Sequence, residues 1–275
     1  MNFHIFSNLE DLGQAAAAHV AEIAAEAIPA RGRFTVALSG GSLPQLLGSA
    51  LVKQATDWSA WHVFWADERC VPLTHPDSNY VLAQQHLFAH IPIPPGQIHA
   101  PDTSLDPAQT AAAYQHTLAH LFDLHPPLPQ PSNPSTSLRT SLPSSNLPTL
   151  QPSNPPPSNP PALPQFDLIL LGMGEDGHTA SLFPGHPLLQ EAGRWVAPIF
   201  DSPKPPPQRI TLTLPVLNNA RHVAFITAGS GKADILPQVF AAGSTLPAHL
   251  VQPTSGHLDW FVDEAAAAKL KASDT

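Results

Sequence analysis

The segment DLILLGMGEDGHTASLFPG, Asp167–Gly185, joins an unbroken apolar run to a glycine-rich loop. A strand that is apolar at consecutive positions buries both of its faces, as in a parallel sheet covered by helices on two sides. Open sheets of that kind receive their ligands at the carboxyl ends of the strands. The loop after this strand is therefore where chemistry is expected. It contains the spacing GxGxxG from Gly172 to Gly177. However, Glu175 and Asp176 stand where a pyrophosphate would have to approach, which argues against a dinucleotide site. The better reading is a glycine-lined pocket that presents Asp176 and His178. Histidine titrates near neutrality and serves as general acid or base, and a nearby carboxylate orients it and stabilises its protonated form.

Outward from that segment, strand and helix signals alternate. Further β-rich runs lie at Phe34–Leu38, His62–Trp65, Trp195–Ile199, Ile210–Leu214, His222–Thr227 and His249–Val251. Helical patterns lie at Leu9–Ile28, Pro44–Thr56, Ser78–His90, Ala108–Leu124, Lys232–Ala241 and Asp263–Ala272. The alternation implies an α/β fold: a single-domain, open, doubly wound and mostly parallel sheet with helices on both faces.

Other strand ends carry matching signals. After Phe34–Leu38 comes Ser39-Gly40-Gly41-Ser42, with Pro44 opening a helix. Gly41 lets the backbone approach a ligand, Ser42 is a good helix N-cap, and free amides at a helix start suit an anion, phosphate above all. A plain strand–helix turn is the bland alternative. After His62–Trp65 comes Asp67-Glu68-Arg69, three consecutive charges in a chain with only 12% charged residues; a solvated turn or a local ion pair is the bland reading there. Arg209 precedes a strand, and Gly229-Ser230-Gly231-Lys232 follows another. A P-loop is excluded because Ile226 and Ala233 stand where its first glycine and its hydroxyl residue belong. What survives is a pair of cations, Arg209 as a bidentate fork and Lys232 as a point charge, able to clamp a phosphate dianion.

Composition narrows the class. The 275 residues suffice for one large α/β domain. A net charge of −9 runs against a nucleic-acid or anionic-membrane binder. Cys70 is alone, so no intramolecular disulfide or cysteine-based zinc cluster is expected, and it reads as a packed small residue. His86 and His90 lie four apart on a predicted helix with His75 before it, but no third convincing ligand is visible, so no metal is expected. The N-terminal segment shows no secretory pattern and Ala15–Ile28 is too short and too interrupted to span a bilayer, which gives a cytoplasmic protein as the expectation.

One segment departs from the rest. Pro126–Pro164 holds 14 prolines in 39 residues and repeats QPSNP. Proline lacks an amide donor and disfavours helix before it, so a disordered or partly polyproline II insert is expected, without a protein partner. The domain expectation is thus residues 1–125 and 165–275 as one α/β domain, interrupted by 126–164. The insert enters at the amino end of a strand, away from the ligand face, so activity should survive its removal.

Taken together, ALSGGSLPQLL (Ala37–Leu47), FWADERCVPLTHPDSNY (Phe64–Tyr80), Asp167–Gly185, Arg209–Leu236 and the C-terminal LDWFVDEAA resemble the 6-phosphogluconolactonase family, within the glucosamine-6-phosphate isomerase/deaminase-like superfamily. The superfamily's deaminases carry a catalytic Glu five residues after the histidine; here Phe183 stands there, and the lactonase form is favoured. The resemblance implies hydrolysis of 6-phosphoglucono-δ-lactone to 6-phosphogluconate in the pentose phosphate pathway, with no cofactor or metal. It implies that Gly41, Ser42, Arg209 and Lys232 hold the 6-phosphate and that His178 is the general base. Asp176 would support His178, Arg69 would stabilise the oxyanion or touch the sugar, and Asp67 would bond sugar hydroxyls. A non-catalytic sugar-phosphate-binding scaffold is the alternative from another class, and an aminosugar-phosphate deaminase is the alternative within the superfamily.

Overall fold

Leu168–Leu171 forms the strand expected of it, and every residue in it is at most 1% exposed. The computed structural model describes residues 1–125 and 162–271. Around that strand lie β1 (Asn2–Phe6), β2 (Phe34–Leu38), β3 (Trp61–Trp65), β4 (Asp67–Arg69), β6 (Val196–Ile199), β7 (Arg209–Leu212), β8 (His222–Thr227) and β9 (His257–Asp263), with Leu168–Leu171 itself as β5. The helices are α1 (Leu9–Arg31), α2 (Leu43–Leu51), α3 (Asn79–His86), α4 (Pro107–Phe122) and four short ones, α5 (Leu214–Leu217), α6 (Leu236–Phe240), α7 (Pro247–Leu250) and α8 (Glu264–Ala267).

Six strands form one sheet in the order β1-β9-β8-β5-β2-β3, and every neighbouring pair is parallel. Side chains alternate across a strand, so β5 serves two cores. Leu168 and Leu170 pack with Leu12, Val20 and Leu47 of α1 and α2. Ile169 and Leu171 pack with Tyr114 and Leu118 of α4 and with Ile210 of β7. Burying a Leu or Ile side chain stabilises by about 1.5–3 kcal/mol, so this central strand fixes both layers at once. From β2 the chain moves outward to β3, whereas β5 leads the other way to β8 and β9. The order therefore reverses between β2 and β5, and their carboxyl ends open a crevice at this topological switch point.

The remaining strands make a second, antiparallel sheet in the order β4-β7-β6. The sequence places Trp195–Ile199 and Ile210–Leu214 in the parallel sheet; both belong instead to this smaller one. Ala66 is the junction: its N–H donates to Leu38 of the large sheet and its carbonyl accepts from Leu212 of the small one. The Asp67–Arg69 turn of the sequence reading is accordingly a strand, with Arg69 paired to Arg209.

Besides β4, two further strands lie outside the expected runs, β1 and β9, and β1 is the edge partner of β9. The expected strand His249–Val251 is a helical turn, α7, because Pro247 pre-sets the backbone angle of its first position. Lys232–Ala241 divides into a tight turn at Ser230–Lys232 and α6, which again opens with a proline. The expected disordered insert lies outside the described residues except for Ala162–Pro164; there the carbonyls of Leu163 and Pro164 accept from Asn219. Among the described residues, no helix is long and apolar enough to cross a membrane.

Candidate active site

The crevice at the switch point is a cleft with about 700 Å³ of empty space, counting its open mouth. Gly41, Ser42, Asp67, Arg69, His178, Arg209 and Lys232 all line it. Seven of the eight residues singled out from sequence thus converge on one hollow, and the eighth, Asp176, sits directly behind His178.

The loop after β2 provides the cradle. Gly41 has φ 71°, a left-handed conformation open to glycine at little cost. Ser42 occupies the N-cap position of α2 but in helical conformation, and its side chain makes no capping bond. The N-cap role expected of it is therefore not realised, and its hydroxyl faces no competing helix amide. Two buried hydroxyls that sequence reading passed over also line the cleft, Ser39 and Thr227, and neither has a hydrogen-bond partner among the described residues. Buried polar groups are ordinarily satisfied, so this couple adds two hydroxyls able to meet a polar group in the cleft.

The loop after β5 provides the acid/base pair. His178 Nδ1 lies 2.5 Å from Asp176 Oδ1, which leaves Nε2 as the nitrogen without a partner among the described residues. Gly174 makes the pair possible: a Cβ there would come within 2.5 Å of Asp176 Oδ1 and closer still to the His178 ring. Burial pushes the His178 imidazole below its ordinary value, although its hydrogen bond to the Asp176 carboxylate works the other way. Partial burial opposes ionisation of Asp176, yet the bond to His178 and the Lys204 charge hold its carboxyl below the usual range. Lys204 was not foreseen. Its Nζ lies 3.5 Å from Asp176 Oδ2, so the carboxylate is shared between an imidazole and an ammonium group.

The small sheet supplies the other wall. Asp67 and Glu68 are 4% and 0% exposed, which excludes the solvated turn that is the bland alternative for this segment. Glu68 accepts from the backbone N–H groups of Arg69, Asn79 and Tyr80 and from the Ser78 hydroxyl, fastening the start of α3 beside the cleft. Burial pushes its carboxyl up to about 7 against those donors. Asn79 in turn donates to the Asp67 carbonyl at 2.8 Å. Cys70 is half-buried against the core, and burial pushes its thiol up to about 11, in keeping with a packing role.

The two arginines differ in how many of their donors are already engaged. Arg209 donates through Nε to Pro206 and through Nη2 to Lys204 and Pro205, all backbone carbonyls, and through Nη1 to the Ser181 hydroxyl. With five N–H donors in the group, a single Nη1 hydrogen remains, so the bidentate fork read from sequence is not open to Arg209 in this arrangement. Among the described residues Arg69 has one guanidinium partner, the Asp77 carbonyl, and its Nε is buried and unpaired. Lys232 has no carboxylate within ion-pair distance among the described residues; burial lowers its ammonium group against the opposing pull of Glu175. The residues that sequence reading missed (Ser39, Ser181, Lys204 and Thr227) are ordinary by type, and only their convergence singles them out.

The fold and this site define an α/β protein with a polar, charged cleft at a parallel-sheet switch point. Comparison with known proteins fixes which one: the family model described as glucosamine-6-phosphate isomerases/6-phosphogluconolactonase matches residues 7–260, and the chain belongs to that family. Within it, 6-phosphogluconolactonase of Rattus norvegicus is 41% identical, covering 97% of this chain and 92% of the rat protein. A probable chloroplastic 6-phosphogluconolactonase 3 of Oryza sativa is 39% identical, covering 98% of this chain and 76% of the rice protein. The solved structure of 6-phosphogluconolactonase from Trypanosoma brucei superposes with a TM-score of 0.78 at 25% identity, covering 98% of each chain. The chain therefore stands among the 6-phosphogluconolactonases, a class of lactone hydrolases.

Proposed function

We propose that the chain hydrolyses 6-phosphoglucono-δ-lactone to 6-phosphogluconate, the pentose phosphate pathway reaction, with His178 as general base. The observation that carries this reading is the meeting, in one cleft, of the His178–Asp176 pair with a polar cradle and a free ammonium group. His178 Nε2 takes a proton from water as the water oxygen attacks the lactone carbonyl carbon. Asp176 steadies the imidazolium that results. Arg69, with unpaired N–H groups on the cleft, faces the negative charge that develops on the carbonyl oxygen. Collapse of the tetrahedral intermediate breaks the bond to the ring oxygen, which receives the proton from His178. Gly41, Ser42, Lys232 and the remaining Nη1 hydrogen of Arg209 hold the 6-phosphate, and Asp67 takes a sugar hydroxyl.

Residues 1–125 and 165–275 act as one catalytic domain in this reading, and the cytoplasm remains its proposed location. The substrate partner is the sugar-phosphate lactone; the site asks for no metal or organic cofactor, nucleic acid or membrane.

The test is the decay of 6-phosphogluconolactone generated in situ, measured against a protein-free blank because the lactone also opens unaided. Acceleration above the blank supports the reading, and a rate equal to it refutes catalysis in favour of a sugar-phosphate-binding scaffold. Phe183, whose ring lies 4.7 Å from that of His178, puts a hydrocarbon where a deaminase would need a carboxylate. Ammonia release from glucosamine 6-phosphate should therefore be absent, and its detection would move the chain to the deaminase branch.

A further inference from the structure

Asp67 and Arg209 carry opposite charges, line the same cleft and are 4% and 3% exposed, yet they form no direct ion pair. Between them stands Ser181, wholly buried. Its hydroxyl donates to Asp67 Oδ2 at 2.7 Å and accepts from Arg209 Nη1 at 3.3 Å. A hydroxyl has one proton to give and lone pairs to receive, so it satisfies a carboxylate and a guanidinium together.

The backbone is built to hold it there. Ser181 lies in a tight turn closed by reciprocal hydrogen bonds between Thr179 and Leu182. Its own N–H donates to the Thr211 hydroxyl of β7. The preceding residue, Ala180, has φ 47°, a left-handed conformation that disfavours a side chain by roughly 1–2 kcal/mol. Strain of this kind persists where surrounding contacts over-determine it, and it clusters at functional sites.

We propose that Ser181 is a positioning residue for substrate selection: by standing between Asp67 and Arg209, it keeps the last free Nη1 hydrogen of Arg209 available to the substrate's phosphate. The proposal rests on the reading that Arg209 contacts that phosphate. Without the hydroxyl, Asp67 draws Nη1 into a direct pair, and the turn of the guanidinium that this requires carries the remaining Nη1 hydrogen away from the phosphate. Asp67 also accepts from Asn79, so it keeps a partner while closing on Arg209. The loss falls on recognition of the phosphate and not on the acid/base step, because His178 and Asp176 are bonded to neither group.

The experiment compares kcat/KM for 6-phosphoglucono-δ-lactone and for unphosphorylated glucono-δ-lactone, each corrected for its blank. It uses wild type, Ser181→Ala, Asp67→Asn, the Ser181→Ala/Asp67→Asn double variant and Arg209→Met. One charge-assisted hydrogen bond corresponds to a factor of about ten or more, so Ser181→Ala should lower the preference for the phosphorylated lactone about tenfold, chiefly through KM. In the Asp67→Asn background the same change should leave the preference unaltered, because no carboxylate remains to capture Arg209. A loss that falls equally on both lactones, or that persists undiminished with Asn at position 67, overturns the proposal. If Arg209→Met lowers the preference and Ser181→Ala does not, the proposal alone falls. If Arg209→Met has no effect, the assignment of Arg209 to the phosphate falls too. Should Ser181→Ala not fold, Ser181→Cys, with its weaker donor, should show the same loss in smaller measure; an unchanged preference there overturns the proposal.

Discussion

Gly40→Ala changes one hydrogen to a methyl group at the edge of the cleft, and the surroundings allow its cost to be worked out. A Cβ at position 40 would stand 2.9 Å from Asn79 Nδ2, with Oδ1 and Cγ of the same side chain nearer still. Asn79 is 1% exposed, and three ties hold it in place: its Nδ2 donates to the Asp67 carbonyl, its backbone N–H donates to Glu68, and it opens α3. The collision is therefore with an anchored side chain, not with a flexible tip. Overpacking a tight interior costs about 1–3 kcal/mol, and release of the Asn79–Asp67 bond adds about 1 kcal/mol. Together they predict a loss of roughly 2–4 kcal/mol in urea unfolding. Because Asp67 moves with Asn79, kcat/KM should fall as well. The cause can be isolated: Asn79→Ala in the Gly40→Ala background should recover part of the stability, since the second change opens the space that the first one needs. Gly40→Ala with wild-type stability would refute this packing argument. So would a double variant whose losses simply add.

Three further outcomes follow from the same geometry. The plot of kcat/KM against pH should rise along an acidic limb centred below 6.5, since burial favours neutral His178, and Lys204→Met should move that limb to higher pH by removing a cation that opposes imidazolium; a limb that stays put or moves down contradicts the assigned part of Lys204. Glu68→Gln turns an amide toward two donors that now meet a carboxylate oxygen, and urea unfolding should show a loss of about 2–4 kcal/mol; a change under about 0.5 kcal/mol, the scale of an ordinary surface substitution, would show that those bonds contribute little. Deleting Pro129–Pro161 should leave turnover intact, because β5 is entered at its amino end and the cleft lies at the other; a folded deletion variant without turnover would contradict that.

Local pattern was enough to place β2 and β8, whose ends fall where the apolar runs Phe34–Leu38 and His222–Thr227 end. It also located the His178–Asp176 pair, because the two residues are neighbours in one loop. It failed where the partners are distant in the chain. For Asp67 and Glu68 a solvated turn stayed open as an alternative because their burial depends on donors from Asn79, Tyr80 and, for Asp67, a serine 114 positions away. Arg209 read as a free fork because the carbonyls of Lys204, Pro205 and Pro206 that occupy it are set by the course of a loop, not by residue type. Strand β9 went unread because aspartates and a histidine interrupt its apolar core; Asp263 at its end accepts from Gly229 and from Ala266, binding the Lys232 loop to α8.

The central claim is that His178 carries the proton transfer, and the most direct measurement is the blank-corrected rate of 6-phosphogluconolactone hydrolysis by wild type and by His178→Ala of matching fold. General-base catalysis of this kind contributes about 10²–10⁴-fold, so the account predicts a fall of that order in kcat with the unfolding midpoint little changed. A folded His178→Ala protein that retains a rate within about tenfold of wild type, well short of that contribution, would contradict it.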